Sequence, residues 1–402
     1  MTKMRPVALR SAPVVHLTDS TSIQPGGVGY AERVCARRKN DPACKRERGL
    51  VHLHRATFRR DRKWAGRRQC GHRAWRSLSS RQEFGRRRPR GVLTESAKPM
   101  KNAFTIDVED YFQVSAFEGV VDRKQWIDRP SRVENNTRRL LDLVERHHTK
   151  ATCFVLGWIA ERHPNLVREI DRRGHDVACH GYSHRLIYNQ TPAEYAEETR
   201  RAKDVLEQLI GRPVRGYRAA SYSITKRSLW ALDTLIELGF EYDSSIFPVR
   251  HDRYGIPDAP RSPHIIEREV GSIVEFPIST LDLAGFNLPV GGGGYFRIFP
   301  YWLSAGAIAL LNRREQLPAM FYVHPWEIDP EQPRIQARLL SRFRHYYHLE
   351  KCEGRLDRLL TSTPFTDVET VLAAYRQQHE LSRMSYGAAG VARIASSSAA
   401  PS

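Results

Sequence analysis

Two histidines four residues apart, in His180-Gly181-Tyr182-Ser183-His184, are spaced to meet at one point. On a helical turn, or on a tight loop after a strand, imidazoles at that spacing can face a single metal ion. The acidic run Asp107-Val108-Glu109-Asp110 offers carboxylates to complete a facial site with open positions for water and substrate. Alone, each signal is ordinary: His180 also reads as a half-buried histidine at a strand end, and Asp107 as a helix cap or solvated turn residue. Together they point to hydrolysis assisted by a divalent cation, which makes a water acidic and polarises a carbonyl. Amide hydrolysis further needs a base for the water's proton and an acid for the leaving amine. Asp107 and His324, the latter in Phe321-Tyr322-Val323-His324-Pro325-Trp326, are the candidates. For His324 the structural alternative is a packing residue before a turn.

These residues need a scaffold that delivers strand ends to one place. From residue 103 onward the pattern alternates between short apolar runs and amphipathic helical stretches. Strands are expected at 103–106, 151–156, 176–179, 214–217, 240–242, 273–276 and 320–323. Helices are expected at 135–148, 165–173, 193–210 and 226–238, the last three stopped by Gly174, Gly211 and Gly239. Repeated units of this kind imply a mostly parallel sheet, closed or open, with its chemistry at the C-terminal strand ends. Asp107, Glu109 and Asp110 follow the first strand, and His180 and His184 the third. Arg218, Asp243 and His324 follow the fourth, the fifth and the last.

The formal net charge of +19 does not belong to this domain. Residues 1–99 carry 25 Lys and Arg against 7 Asp and Glu, leaving 39 basic and 38 acidic residues for 100–402. The patterned region is electrically balanced, so no nucleic-acid partner is expected of it. Residues 1–99 lack periodicity and are expected to be a basic, disordered or spurious extension ahead of Met100. The tail at 383–402 is Ser-, Ala- and Gly-rich and is expected to be disordered. The six cysteines form no CxxC pair, which suits free thiols better than a disulfide scaffold. No apolar run reaches the ~20 residues that span a bilayer, and no h-region follows the N-terminus. A cytoplasmic protein is expected, with association to a membrane only through partners.

Over residues 102–372 the chain resembles the polysaccharide deacetylases of the NodB-homology group, carbohydrate esterase family 4. It is most similar to the branch found with exosortase-linked exopolysaccharide loci, which carries a C-terminal extension. The resemblance implies a distorted (β/α) barrel over 100–330, with 331–382 as an extension packed on it. It also implies a metal site, zinc by preference, though cobalt, manganese or nickel would fit. In Thr105-Ile106-Asp107-Val108-Glu109-Asp110, Asp107 would be the base, and either Asp110 or Glu109 the carboxylate ligand. Asp110 is preferred because the shorter carboxylate is commoner in the group. His180 and His184 would be ligands, with Ser183 steadying their loop. Arg218, in Arg218-Ala219-Ala220-Ser221-Tyr222, would orient the base through a bidentate contact, although the proline that usually follows is missing. Asp243, in Asp243-Ser244-Ser245, would partner the acid His324, although Ser245 replaces a usual tryptophan.

Tyr222 and Trp326 could stack on sugar faces. The activity implied is hydrolysis of N-acetyl groups on an acetylated bacterial polysaccharide or oligosaccharide, or its lipid-linked precursor, during exopolysaccharide biosynthesis. A cyclic amide or imide hydrolase and a non-catalytic carbohydrate-binding protein are the alternatives. Nothing in the sequence sets the oligomeric state.

Overall fold

A computed structural model describes residues 99–387 and 390–394. The expectations for the basic extension, and for the tail beyond 394, therefore lie outside the described residues. Strand β1 (Asn102–Val108) is buried along its whole length, as a central parallel strand must be. It is followed by α1 (Val133–Arg146), β2 (Thr152–Val155), α2 (Gly157–Arg162), α3 (Pro164–Arg172), β3 (Asp176–Cys179) and α4 (Pro192–Ile210). Next come β4 (Gly216–Tyr217), α5 (Trp230–Glu237), β5 (Tyr242–Asp243), β6 (His264–Arg268) and β7 (Gly271–Glu275). A hairpin of β8 (Thr280–Leu283) and β9 (Phe286–Pro289) precedes α6 (Gly293–Ile298), α7 (Tyr301–Leu310) and β10 (Met320–Val323). The chain ends with α8 (Leu339–Tyr346), α9 (Leu349–Ser362), β11 (Phe365–Thr366), α10 (Val368–Gln378), β12 (Arg383–Gly387) and β13 (Gly390–Arg393).

Seven strands run parallel in the order β10-β1-β2-β3-β4-β5-β7, and β6, β12 and β13 extend the sheet beyond β7. This is the expected mixed α/β fold with a parallel sheet. The hydrogen-bonded order does not return from β7 to β10. The outer edge of β10 is covered by the chain after β7: Gly291 accepts from the Tyr322 N–H at 2.7 Å, and Ser279 Oγ from the Met320 N–H at 2.7 Å. Gly292 makes this approach feasible. Its φ is 117°, and a Cβ there would lie 2.1 Å from the Tyr322 carbonyl oxygen.

Local chemistry explains most element ends. Helix α4 starts in a reciprocal capping box between Thr191 and Glu194 and stops at left-handed Gly211. The helix expected from 226 begins only at Trp230, because Ser228 Oγ accepts from the Thr225 N–H and ties 225–228 into a turn. The tail departs from expectation more sharply. Arg383–Gly387 pairs in parallel with β6 and Gly390–Arg393 pairs back on it, so order continues well past 382. Buried Met384 and Tyr386 alternate along that strand with exposed Arg383 and Ser385. Cys153, Cys179 and Cys352 are free and buried. Among the described residues no helix is long and apolar enough to cross a membrane.

Candidate functional site

Three parallel neighbours set the centre: β10, β1 and β2 are in register, with Ile106 opposite Val323 and Val108 opposite Val155. Residues just past these strands, and past β3 and β4 beyond them, emerge at one end of the sheet. Glu109, His180 and His184 each bring one ligand atom there, all within 4.8 Å of one another, and all three residues are buried. Helix α2 holds the histidine loop from one side: the Gly157 and Trp158 N–H groups donate to the carbonyls of Gly181 and Tyr182. Arg123 Nε grips the Ser183 carbonyl at 2.9 Å, and Ser183 Oγ donates to Glu198 on α4 at 2.6 Å. His184 sits in the left-handed region at φ 50°, a conformation that persists only when its surroundings enforce it.

The polar atoms point inward with their lone pairs free. His180 donates Nδ1–H to the Arg218 carbonyl at 2.8 Å, which leaves Nε2 unprotonated and facing the cluster. Burial pushes His180 down to about 4, so it is neutral near pH 7. Glu109 Oε2 is 2.9 Å from His184 Nε2, yet without hydrogen-bond geometry, and it remains a buried atom with no partner. Burial alone would raise the Glu109 carboxyl, but His184 and His324 outweigh it and hold the group well below the usual carboxylate range. Two buried imidazoles and one carboxylate with an orphaned oxygen fit a divalent cation of the zinc type.

Asp110 is not brought to this cluster. Its carboxylate turns away and accepts from Ser131 Oγ at 2.7 Å and from the N–H groups of Tyr111, Arg132 and Val133 at 3.0, 2.8 and 3.2 Å. It thereby caps α1 from a distance, and the preference between the two carboxylates reverses in favour of Glu109.

Asp107 lies beside the cluster, held by the fully buried Arg218. The guanidinium gives Asp107 Oδ1 one bond of 2.6 Å rather than the expected pair. Its other N–H groups go to Thr105 Oγ1 at 2.7 Å and to Ser244 Oγ and carbonyl at 3.0 and 3.2 Å. His324 closes the group, with Nε2 3.5 Å from Glu109 Oε1 and 3.8 Å from Asp107 Oδ2.

Residues 126–242 match the family profile described as polysaccharide deacetylase. Over these residues the chain is similar to the polysaccharide deacetylase family. The segment 244–373 matches a second profile, a domain of unknown function, DUF3473. Beside the deacetylase domain stand two curated relatives. A peptidoglycan-N-acetylglucosamine deacetylase of Bacillus cereus is 33% identical over 98 residues, 24% of this chain and 36% of that protein. A peptidoglycan deacetylase of Helicobacter pylori is 29% identical over 108 residues, 27% and 36% of the two chains. The chain thus spans about a third of the length of these relatives. A crystal structure of a candidate polysaccharide deacetylase from Mycobacterium smegmatis aligns with TM-score 0.48 and 20% identity, covering 71% of this chain and 93% of that one.

The partner expected for the acid is not the one found. His324 Nδ1 pairs with Glu327 Oε1 at 2.7 Å, three residues on, and burial of the imidazole is outweighed by Glu109 and Glu327, which raise it to about 9. Asp243 instead accepts from Ser245 Oγ and lies against Glu275, its register neighbour on β7. Burial pushes both carboxyls up, Asp243 to about 6, as two carboxylates crowded out of water require. The two expected sugar platforms are buried as well. Trp326 stacks with His324 and His345, is 6% exposed, and donates its indole N–H to Glu109 Oε1 at 3.1 Å. Tyr222 packs edge-on against Phe247 and Tyr322 beneath the surface. Glu327 lies outside the motifs that carry the resemblance, although a His-Pro-Trp-Glu run after a strand is a detectable signal for an i, i+3 pair.

Proposed function

We propose that this protein hydrolyses N-acetyl groups on an acetylated polysaccharide, with Glu109, His180 and His184 holding a divalent metal. The observation that carries the reading is the convergence of three buried ligand atoms beside Asp107 and His324. When bound, the metal supplies Lewis acidity to a water and to the acetyl carbonyl. Asp107 takes the proton from the attacking water, and the single Arg218 bond keeps its Oδ2 free to do so. His324 delivers a proton to the departing amine from Nε2, because Nδ1 is engaged by Glu327 and the imidazole is charged near pH 7. Trp326 fixes the Glu109 carboxylate through its other oxygen. The finer substrate is an exopolysaccharide or its precursor, supported by the resemblance of the C-terminal extension.

The test is acetate release from acetylated amino-sugar oligomers by the full chain, metal-loaded, chelated, and as Asp107→Asn. Release that requires both metal and Asp107 is expected. Release that survives chelation, or equal release by the variant, would sink the mechanism.

A further inference from the structure

The deacetylase profile ends at residue 242, yet His324, Trp326 and Glu327 all lie within 244–373. What surrounds them explains why. Glu327 is fully buried, and the oxygen not used by His324 takes Arg297 Nε at 2.5 Å. Arg297, on α6 and 1% exposed, directs its remaining donors to three backbone carbonyls: Arg344 at 2.9 Å, His345 at 3.0 Å and Tyr347 at 2.7 Å. These carbonyls close the C-terminal end of α8, where partial negative charge collects. Arg355 on α9 donates in turn to the carbonyls of Phe296, Arg297 and Phe299, which fixes the end of α6 itself.

A second line runs to the metal ligand. His345 lies flat on Trp326, with centroids 4.1 Å apart and planes 15° apart, and its Nε2 donates to Gln332 Oε1 at 2.7 Å. Gln332 also donates to the Trp326 and Asp329 carbonyls, so its orientation is determined by its bonds. Trp326 then presents its N–H to Glu109.

We infer that the domain of unknown function is the supporting half of the hydrolytic centre, with Arg297 positioning His324 through Glu327 and His345 positioning Glu109 through Trp326. The inference rests on the deacetylase reading. A guanidinium is required at 297 because one planar group must serve a carboxylate and three carbonyls at fixed angles, which an ammonium cannot. Without that cation the buried Glu327 would have only His324 to compensate its charge, and one of its oxygens would lose its donor. A separate carbohydrate-binding module would not need its most buried arginine aimed at the acid's partner.

Two variants test this. Arg297→Met combined with Glu327→Gln removes both buried charges together, so neither is left uncompensated, while His324 loses its charged anchor and three carbonyls lose their donor. Expected are a lowered melting temperature from those carbonyls, Co²⁺ affinity within 3-fold (which shows the centre is still folded), KM within 3-fold and kcat reduced at least ~100-fold. A kcat within 3-fold of wild type would overturn the role of Arg297. Trp326→Phe keeps the stacked ring but loses the N–H. Its Co²⁺ affinity should fall about 10- to 100-fold, the usual effect of losing a partner to a metal ligand, with an altered visible absorption spectrum. Unchanged Co²⁺ affinity and spectrum would overturn the role of Trp326 and His345. A wild-type protein that binds Co²⁺ but releases no acetate would refute the deacetylase reading alone. In that case the Co²⁺ result for Trp326→Phe still decides the metal half of this proposal.

Discussion

Asp110→Asn and Glu109→Gln should separate folding from metal binding, although the two carboxylates are adjacent in sequence. Asp110 Oδ2 receives three donors, from Ser131, Arg132 and Val133, while Oδ1 receives the Tyr111 N–H. An asparagine keeps one oxygen for the first three and turns an NH₂ toward the Tyr111 N–H. Loss of a helix-capping carboxylate costs about 1 kcal/mol, and a buried N–H facing another donor costs about 1–3 kcal/mol. Against this, burial already pushes Asp110 up, so neutralisation recovers part of its desolvation cost. The net expectation is about 2 kcal/mol, or a melting temperature roughly 4–8 °C lower, with Co²⁺ affinity unchanged. Glu109→Gln removes the anionic member of the cluster and should weaken Co²⁺ by more than about 100-fold, beyond what losing an outer partner does. Its metal-free melting temperature should move much less than that of Asp110→Asn. Calorimetric melting of the chelated proteins and Co²⁺ titration measure both quantities. If Asp110→Asn lost the metal and Glu109→Gln retained it, the geometric assignment would be refuted.

Other expectations follow from the same structure. His264 is buried neutral between the Ser262 carbonyl and Tyr386, and burial lowers it from 6.5 to about 4. Between those values the unfolded chain binds the extra proton, so stability falls as the pH drops from 6.5 to 4, by about 3 kcal/mol in all. Urea unfolding across that range should show a flatter profile for His264→Gln, and an identical slope would discount the residue. Gly292→Ala should cost about 3 kcal/mol or more, because the backbone must leave an unusual conformation and clear the Tyr322 carbonyl; a melting temperature within 2 °C of wild type would contradict this. Zn²⁺ at 100 times its Kd should stabilise the protein by about 2.7 kcal/mol, and His180→Ala should abolish that thermal shift; a shift that persists would place the ion elsewhere.

What could be read from sequence was local or periodic. His180 and His184 are near one another by spacing alone, and Asp107 and His324 sit where apolar runs end. The choice between Glu109 and Asp110 was not legible, because it is settled by helix α1, whose first N–H groups claim Asp110 from more than twenty residues away. Motif order assigns Asp243 to the acid, but the partner is supplied within the next helical turn, by Glu327. Trp326 offers an aromatic face on paper, yet His324 and His345 stack on it. Arg297 carried no signal, since its role depends on carbonyls of a helix about fifty residues later. The strand at Arg383–Gly387 was hidden by composition, although its alternation of buried and exposed residues was present.

The pairing of β1 with β10 has a consequence for how the protein comes into being. Glu109 and Trp326 are bonded across a separation of 217 residues, and Asp107 and His324 flank that same ladder. Closing so long a loop is costly and rewarded only once the intervening units are in place. The cluster around Glu109 and Trp326 is therefore a late product of folding, complete only once nearly all of 102–326 has been synthesised. In refolding experiments, recovery of Co²⁺ absorption should lag recovery of helical circular dichroism; simultaneous recovery would argue for early docking of β10.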